Sequence, residues 1–120
     1  MPIVNVRWST ETEPNQKQEI IDYIVDTVSE TVSTKKELIY VFFHEYDAAN
    51  VSNPGCPVVQ INWTAQPVRN AEAKAVLIKK LADKFAEYPN VNAKRAVIII
   101  TDTPLDSAGV GGVTRATSLD

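Results

Sequence analysis

The chain reads as an α+β protein in which duplicated β-α-β units form a four-stranded sheet with two helices on one face. Two observations predict this. Pro2-Ile-Val-Asn-Val-Arg-Trp8 recurs as Pro57-Val-Val-Gln-Ile-Asn-Trp63, both heptads beginning with Pro, ending with Trp and β-branched at the second, third and fifth positions. Each heptad is followed by a polar stretch, a helical pattern and a second, more apolar strand. A length of 120 residues suits one domain, 1–120, with pseudo-repeats over 2–50 and 57–113.

In the first unit, Pro14 suits the first helical position, where a missing N–H costs nothing. Ile20, Ile21, Ile24, Val25, Val28 and Val32 then recur near the helical period and mark one buried face. Lys17, Glu19, Asp22, Asp26 and Glu30 fall mostly on the other. A strand is predicted from Leu38 to Glu45. In the second unit Asn70 is the N-cap, Leu77, Ile78, Leu81, Ala82 and Phe85 form the apolar stripe, and Arg95 to Thr101 is the next strand. The segment from Asp47 to Gly55 reads as a loop and Gly109-Val-Gly-Gly-Val113 as a tight hairpin. The strands within a unit are expected to be parallel, joined by a right-handed crossover. With both helices on one face, Val4, Val6, Val41, Val59 and Ile61 are expected to need cover on the other, most economically by self-association.

Composition excludes several functions. The sequence is 44% hydrophobic and 22% charged with a formal charge of −3, and no basic stripe tracks a phosphate backbone, so no nucleic-acid partner is expected. No apolar run approaches the ~18 residues of a membrane span. The start lacks the basic and apolar regions of a signal peptide, and the single cysteine, Cys56, has no partner for a disulfide or a zinc site. These features predict a cytoplasmic protein with no membrane partner.

A β-α-β unit that begins Met-Pro and is duplicated in one chain resembles the tautomerase superfamily, and the resemblance spans nearly the whole sequence. The first half, from Pro2-Ile-Val-Asn-Val to Tyr40-Val-Phe-Phe-His-Glu45, is similar to a 4-oxalocrotonate tautomerase subunit. Val41-Phe-Phe-His-Glu-Tyr-Asp-Ala-Ala-Asn50 and Gln66-Pro-Val-Arg69-Asn-Ala-Glu-Ala-Lys74 resemble the fused cis-3-chloroacrylic acid dehalogenase and malonate semialdehyde decarboxylase groups. The resemblance implies the tautomerase/MIF-like fold, a homotrimer, and an amino-terminal proline in a pocket with cationic neighbours. It implies no metal or other cofactor.

Pro2 is the expected catalytic group. Methionine is normally trimmed before proline, leaving a secondary amine, and an α-amino group titrates at roughly 7.7–8.0 before burial and a nearby cation lower it. Such an amine is a general base poised near neutrality. Pro57 is its repeat-mate, but a mid-chain nitrogen is an amide, so one active site per chain is expected. Arg69, at the start of the second helix, matches an arginine of both fused groups and is the expected carboxylate ligand. His44, the only histidine, is a candidate proton relay, and Tyr40 a candidate pocket wall. Trp8 and Trp63 read as packing residues.

The resemblance also has departures. Gln66 stands where the dehalogenases have a second arginine, Val110 where they have a water-activating acid and Val28 where they have a histidine. Tyr40 and Thr12 replace two arginines of the short tautomerases. The expected activity is therefore a cofactor-independent enol–keto tautomerase of a small carboxylate substrate. The alternatives are a hydratase, dehalogenase or decarboxylase of the same superfamily, or a catalytically silent trimeric binding protein.

Overall fold

Alternating side chains set the first strand, β1 (Ile3–Trp8): Val4, Val6 and Trp8 are buried, whereas Ile3 and Asn5 are half-buried and Arg7 exposed. The computed structural model of the chain describes residues 1–117. Helix α1 (Pro14–Val32) starts on the expected proline and is closed at its entrance by Gln16, whose Oε1 accepts from the Glu13 N–H at 2.9 Å. It ends at Ser33, which takes the left-handed conformation at φ 51°. Ile20, Ile24, Val28 and Val32, four residues apart, are its buried ridge.

A 3-10 turn over Lys36–Leu38 precedes β2 (Tyr40–Glu45). The second unit repeats the plan with β3 (Val58–Thr64), α2 (Ala71–Phe85), a 3-10 turn over Ala93–Arg95 and β4 (Val97–Thr103). Asn70 caps α2 by accepting from the Ala73 N–H at 2.9 Å, and Leu77, Leu81 and Phe85 face inward. The glycine run makes a two-strand ribbon, β5 (Gly109–Val110) and β6 (Val113–Thr114), with Gly111 and Gly112 at φ 62° and 85°. A two-residue turn of this hand needs positive φ at both centres, which glycine supplies at little cost.

The strand order is β2-β1-β3-β4, with β1–β2 and β3–β4 parallel and the central β1–β3 pair antiparallel. The two units are thus related by an approximate two-fold axis, and Pro2 and Pro57 lie at opposite ends of the central pair. Each proline carbonyl accepts the same contact at 2.9 Å, from Tyr40 N–H in one unit and Val97 N–H in the other.

Two expectations change. Both outer strands start two residues later than predicted, because Leu38 and Arg95 bond back to Lys35 and Asn92 in the 3-10 turns, which uses their amides before the ladder begins. The faces of the sheet are also reversed from the expectation. Val4, Val6, Val59 and Ile61 are fully buried against the helices, and Val41 packs at the edge of the same core. The face away from the helices instead presents Tyr40, Phe42, Val97 and Ile99, which are 46%, 51%, 45% and 51% exposed. In a period of two, the alternate residues necessarily take the other face.

The core closes around Trp8, whose ring meets Phe43, Phe85 and Tyr88 at centroid distances of 5.6, 5.5 and 6.0 Å. Lys84, a buried cation on α2, donates to Glu19 of α1 at 2.9 Å and to Glu87 at 3.1 Å, so the helices are also tied by charge. The Glu19 bond raises the Lys84 ammonium above its ordinary range and outweighs burial. Among the described residues no helix is long and apolar enough to cross a membrane.

Candidate active site

Two hollows meet at the amino terminus, and Met1 lines both. One, about 170 Å³, is bounded by Thr34, Lys35, Leu38, Gln66 and Arg69; the other, about 220 Å³, by Ile3, Asn62, Trp63, Thr64 and Ser107. Pro2 itself is buried just inside them. The β-strand alternation that buries Val4 and Val6 carries Pro2 inward as well, so the chain end is drawn toward the core.

Arg69 is 4% exposed. Its Nη1 donates to the Thr64 carbonyl and hydroxyl at 2.7 and 2.9 Å, its Nη2 donates to Thr34 Oγ1 at 3.2 Å, and its plane lies 5.2 Å from the Trp63 ring. Its Nε–H is buried with no partner among the described residues. Of five guanidinium N–H groups, Nε–H and one on Nη2 remain for a ligand. A buried donor left open is costly unless a bound group completes it. Burial lowers the Arg69 pKa, the nearby Asp102 carboxylate opposes this, and Arg115 adds a smaller depression.

Arg115 is the residue that sequence reading missed. It follows the ribbon as an isolated cation in a polar tail, with no periodicity to flag it. The Gly111-Gly112 turn folds it back: its N–H donates to the Ala108 carbonyl at 2.8 Å, and the side chain is 6% exposed. Among the described residues no side-chain hydrogen bond or ion pair occupies its guanidinium. Together with Arg69 it acts on the chain end. The α-amino group of the chain carrying Met1 is pushed down to about 6, first by burial, then by Arg69 and by Arg115.

Behind Arg69 runs a polar chain. Trp63 Nε1 donates to Asp102 at 2.7 Å, and Lys74 of α2 donates to the same carboxylate at 2.6 Å. Lys74, with Trp63 and Arg69, holds the Asp102 carboxyl below its usual range despite partial burial. Asp102 fixes the indole on which Arg69 rests.

The other expected residues separate. Tyr40 pairs with Ile3 in register and receives the Pro2 carbonyl on its N–H, so it borders the amine end on the exposed face. His44 pairs with Arg7, four residues further along β2, and its ring contacts Asn5 Oδ1 at 3.1 Å. At ~3.3 Å per residue, that puts it about 13 Å from Tyr40 along the strand. Within one chain, therefore, Arg69 lines the hollow at the chain end, Tyr40 adjoins Pro2 through its backbone, and His44 lies apart. Among the described residues no three His, Cys, Asp or Glu side chains gather as a metal site.

Residues 2–53 match the protein family described as "Tautomerase enzyme". No curated protein matches the sequence. Among solved structures, the fold is similar to a fused 4-OT described as a wild-type asymmetric trimer, at 20% identity over 98% of this chain and 99% of that one, with a TM-score of 0.86. It is also similar to N1, a member of the cis-3-chloroacrylic acid dehalogenase family, at 15% identity over 93% and 82% of the two chains with a TM-score of 0.73. FG41 malonate semialdehyde decarboxylase inhibited by 3-bromopropiolate gives 17% identity over 98% and 97%, with a TM-score of 0.72. The first repeat thus matches the tautomerase family model, and along its whole length the chain shares the fold of these structures.

Proposed function

We propose that the protein is a cofactor-independent tautomerase of a small carboxylate substrate, with Pro2 as the proton-transfer group once Met1 is removed. The observation that carries this reading is the environment of the chain end, where burial, Arg69 and Arg115 push an α-amino group down to about 6. The same burial and cations would bias a secondary amine there toward its neutral form, which can accept a proton. Neutral Pro2 takes the proton from the enol hydroxyl and returns it to carbon. The open N–H groups of Arg69, with Arg115, hold the carboxylate and stabilise the charge that develops on the enolate oxygen.

A homotrimer fits this reading. The face carrying Phe42 and Ile99 is too apolar to leave in water, and fused 4-OT relatives are described as trimers. Tyr40, on that face, would then line a pocket wall that a neighbour completes, and His44 could serve only a site it reaches across an interface.

Intact mass tests the processing: the expected product lacks Met1. Ketonisation of phenylpyruvate or 2-hydroxymuconate tests the amine. Pro2→Ala is expected to lower kcat/KM by ~10²–10⁴, the range of a lost general base. Equal rates would overturn the enzymatic reading, and retained carboxylate binding in that case would favour the binding-protein alternative.

A further inference from the structure

The repeat creates a second hollow, at the Pro57 end of the central strand pair. It measures about 390 Å³, larger than either hollow at the amine and within the ~300–1,000 Å³ range of small-molecule sites. Its walls are the two-fold equivalents of the amine site: Cys56 stands for Met1, Val58 for Ile3 and Trp8 for Trp63. The differences are chemical. Arg7 replaces Asn62, as the registers Arg7↔Val58 and Asn62↔Ile3 require, and Arg95 replaces Leu38. The hollow has therefore gained two cations.

Nothing within the described chain neutralises them. Neither Arg7 nor Arg95 has an ion pair or a side-chain hydrogen bond among the described residues, and Glu45, the equivalent of Asp102, is taken by Lys17. Trp63 gives its indole N–H to Asp102, whereas the Trp8 indole N–H is buried with no partner among the described residues, in a residue 1% exposed that lines this hollow. An unpaired buried donor beside two free guanidinium groups and an apolar wall of Val58 and Val97 is a receptor for an anion with a hydrophobic body.

We propose that this hollow binds a small aryl or alkyl carboxylate, held by Arg7 and Arg95, without converting it. Conversion is excluded by position: the Pro57 nitrogen is a peptide amide and has no basic lone pair to accept a proton. The duplication has in effect yielded one site with an amine and one without.

Cys56 is the only cysteine and lines the hollow half-exposed, so it reports occupancy directly. The probe is benzoylformate, an aryl 2-oxo acid with no α-proton to lose, and the readout is the rate of Cys56 alkylation by iodoacetamide followed by peptide mass. At about 10 mM probe the wild-type rate is expected to fall at least ~5-fold, the occupancy reached when ligand exceeds Kd about 4-fold. Pro2→Ala is expected to show the same protection, which separates this site from the amine chemistry. The Arg7→Ala, Arg95→Ala double variant, altered only at exposed positions, is expected to lose it, with its unchanged thermal melting showing that it folds. An unprotected wild-type Cys56, or protection that persists in the double variant, overturns the proposal.

Discussion

Arg69 shows how a buried charge is made usable. Its desolvation is met by Thr34, Thr64 and the Trp63 face, which occupy part of the guanidinium and leave two N–H groups for a ligand. Lysine has the charge without the fork, so Arg69→Lys is expected to lower kcat/KM by ~10–100-fold, more than the loss of any single neutral hydrogen bond. Unchanged kcat and KM would remove Arg69 from the reaction. The amine makes a separate prediction in pH. If Pro2 acts as the proposed base it must be neutral, so kcat/KM is expected to fall at acid pH, with a limb set below the ordinary α-amino range by burial and the two nearby guanidinium groups. Arg115 disfavours the protonated amine, so Arg115→Ala should raise the pKa and move the acid limb to higher pH. A limb that stays in place in Arg115→Ala would show that Arg115 does not act on the amine.

At the scale of elements, the ribbon links a local turn to the distant amine. Gly111 and Gly112 hold positive φ with nothing within 4 Å of a built Cβ, so conformation and not space restricts substitution. Gly112→Val is expected to cost about 1–2 kcal/mol of local strain and to misplace Arg115. The expected signature is a loss of activity larger than the small change in melting temperature. The helices behave differently. Leu81 is fully buried between α2 and the sheet, so Leu81→Ala is expected to destabilise the fold by about 2–5 kcal/mol in urea unfolding. The Pro14 start, the Asn70 cap and most of both helical stripes were legible in the sequence, because each is a relation among residues close in the chain; Ile78, expected on the α2 stripe, is instead 38% exposed. The strand starts were misread by two residues, since apolar Leu38 and Ala96 continue the strand pattern while backbone turns decide where the ladder begins.

Across the whole molecule, the sheet has one face sealed by helices and one that offers Tyr40, Phe42, Val97 and Ile99 to its surroundings. Charge placed there should oppose association while leaving the core intact. Phe42→Glu with Ile99→Glu is expected to convert a trimer to folded monomers in sedimentation velocity, with helical circular dichroism retained. A doubly substituted protein that still sediments as a trimer would assign the interface elsewhere.

The succession of strands and helices and the repeat were determined by the sequence alone, as was the fact that the Pro57 nitrogen is a peptide amide. Periodicity, capping and the chemistry of a chain end are local, and a duplication displays its own symmetry. The tertiary structure decided which set of alternating valines is buried, because that depends on where the crossover helices pack. It also decided that Arg115 comes back to the amine, that His44 stays at the other end of its strand and that the Trp8 indole lacks the acid its mate enjoys. These are contacts between residues far apart in the chain, and they exist only once the two units have closed on each other.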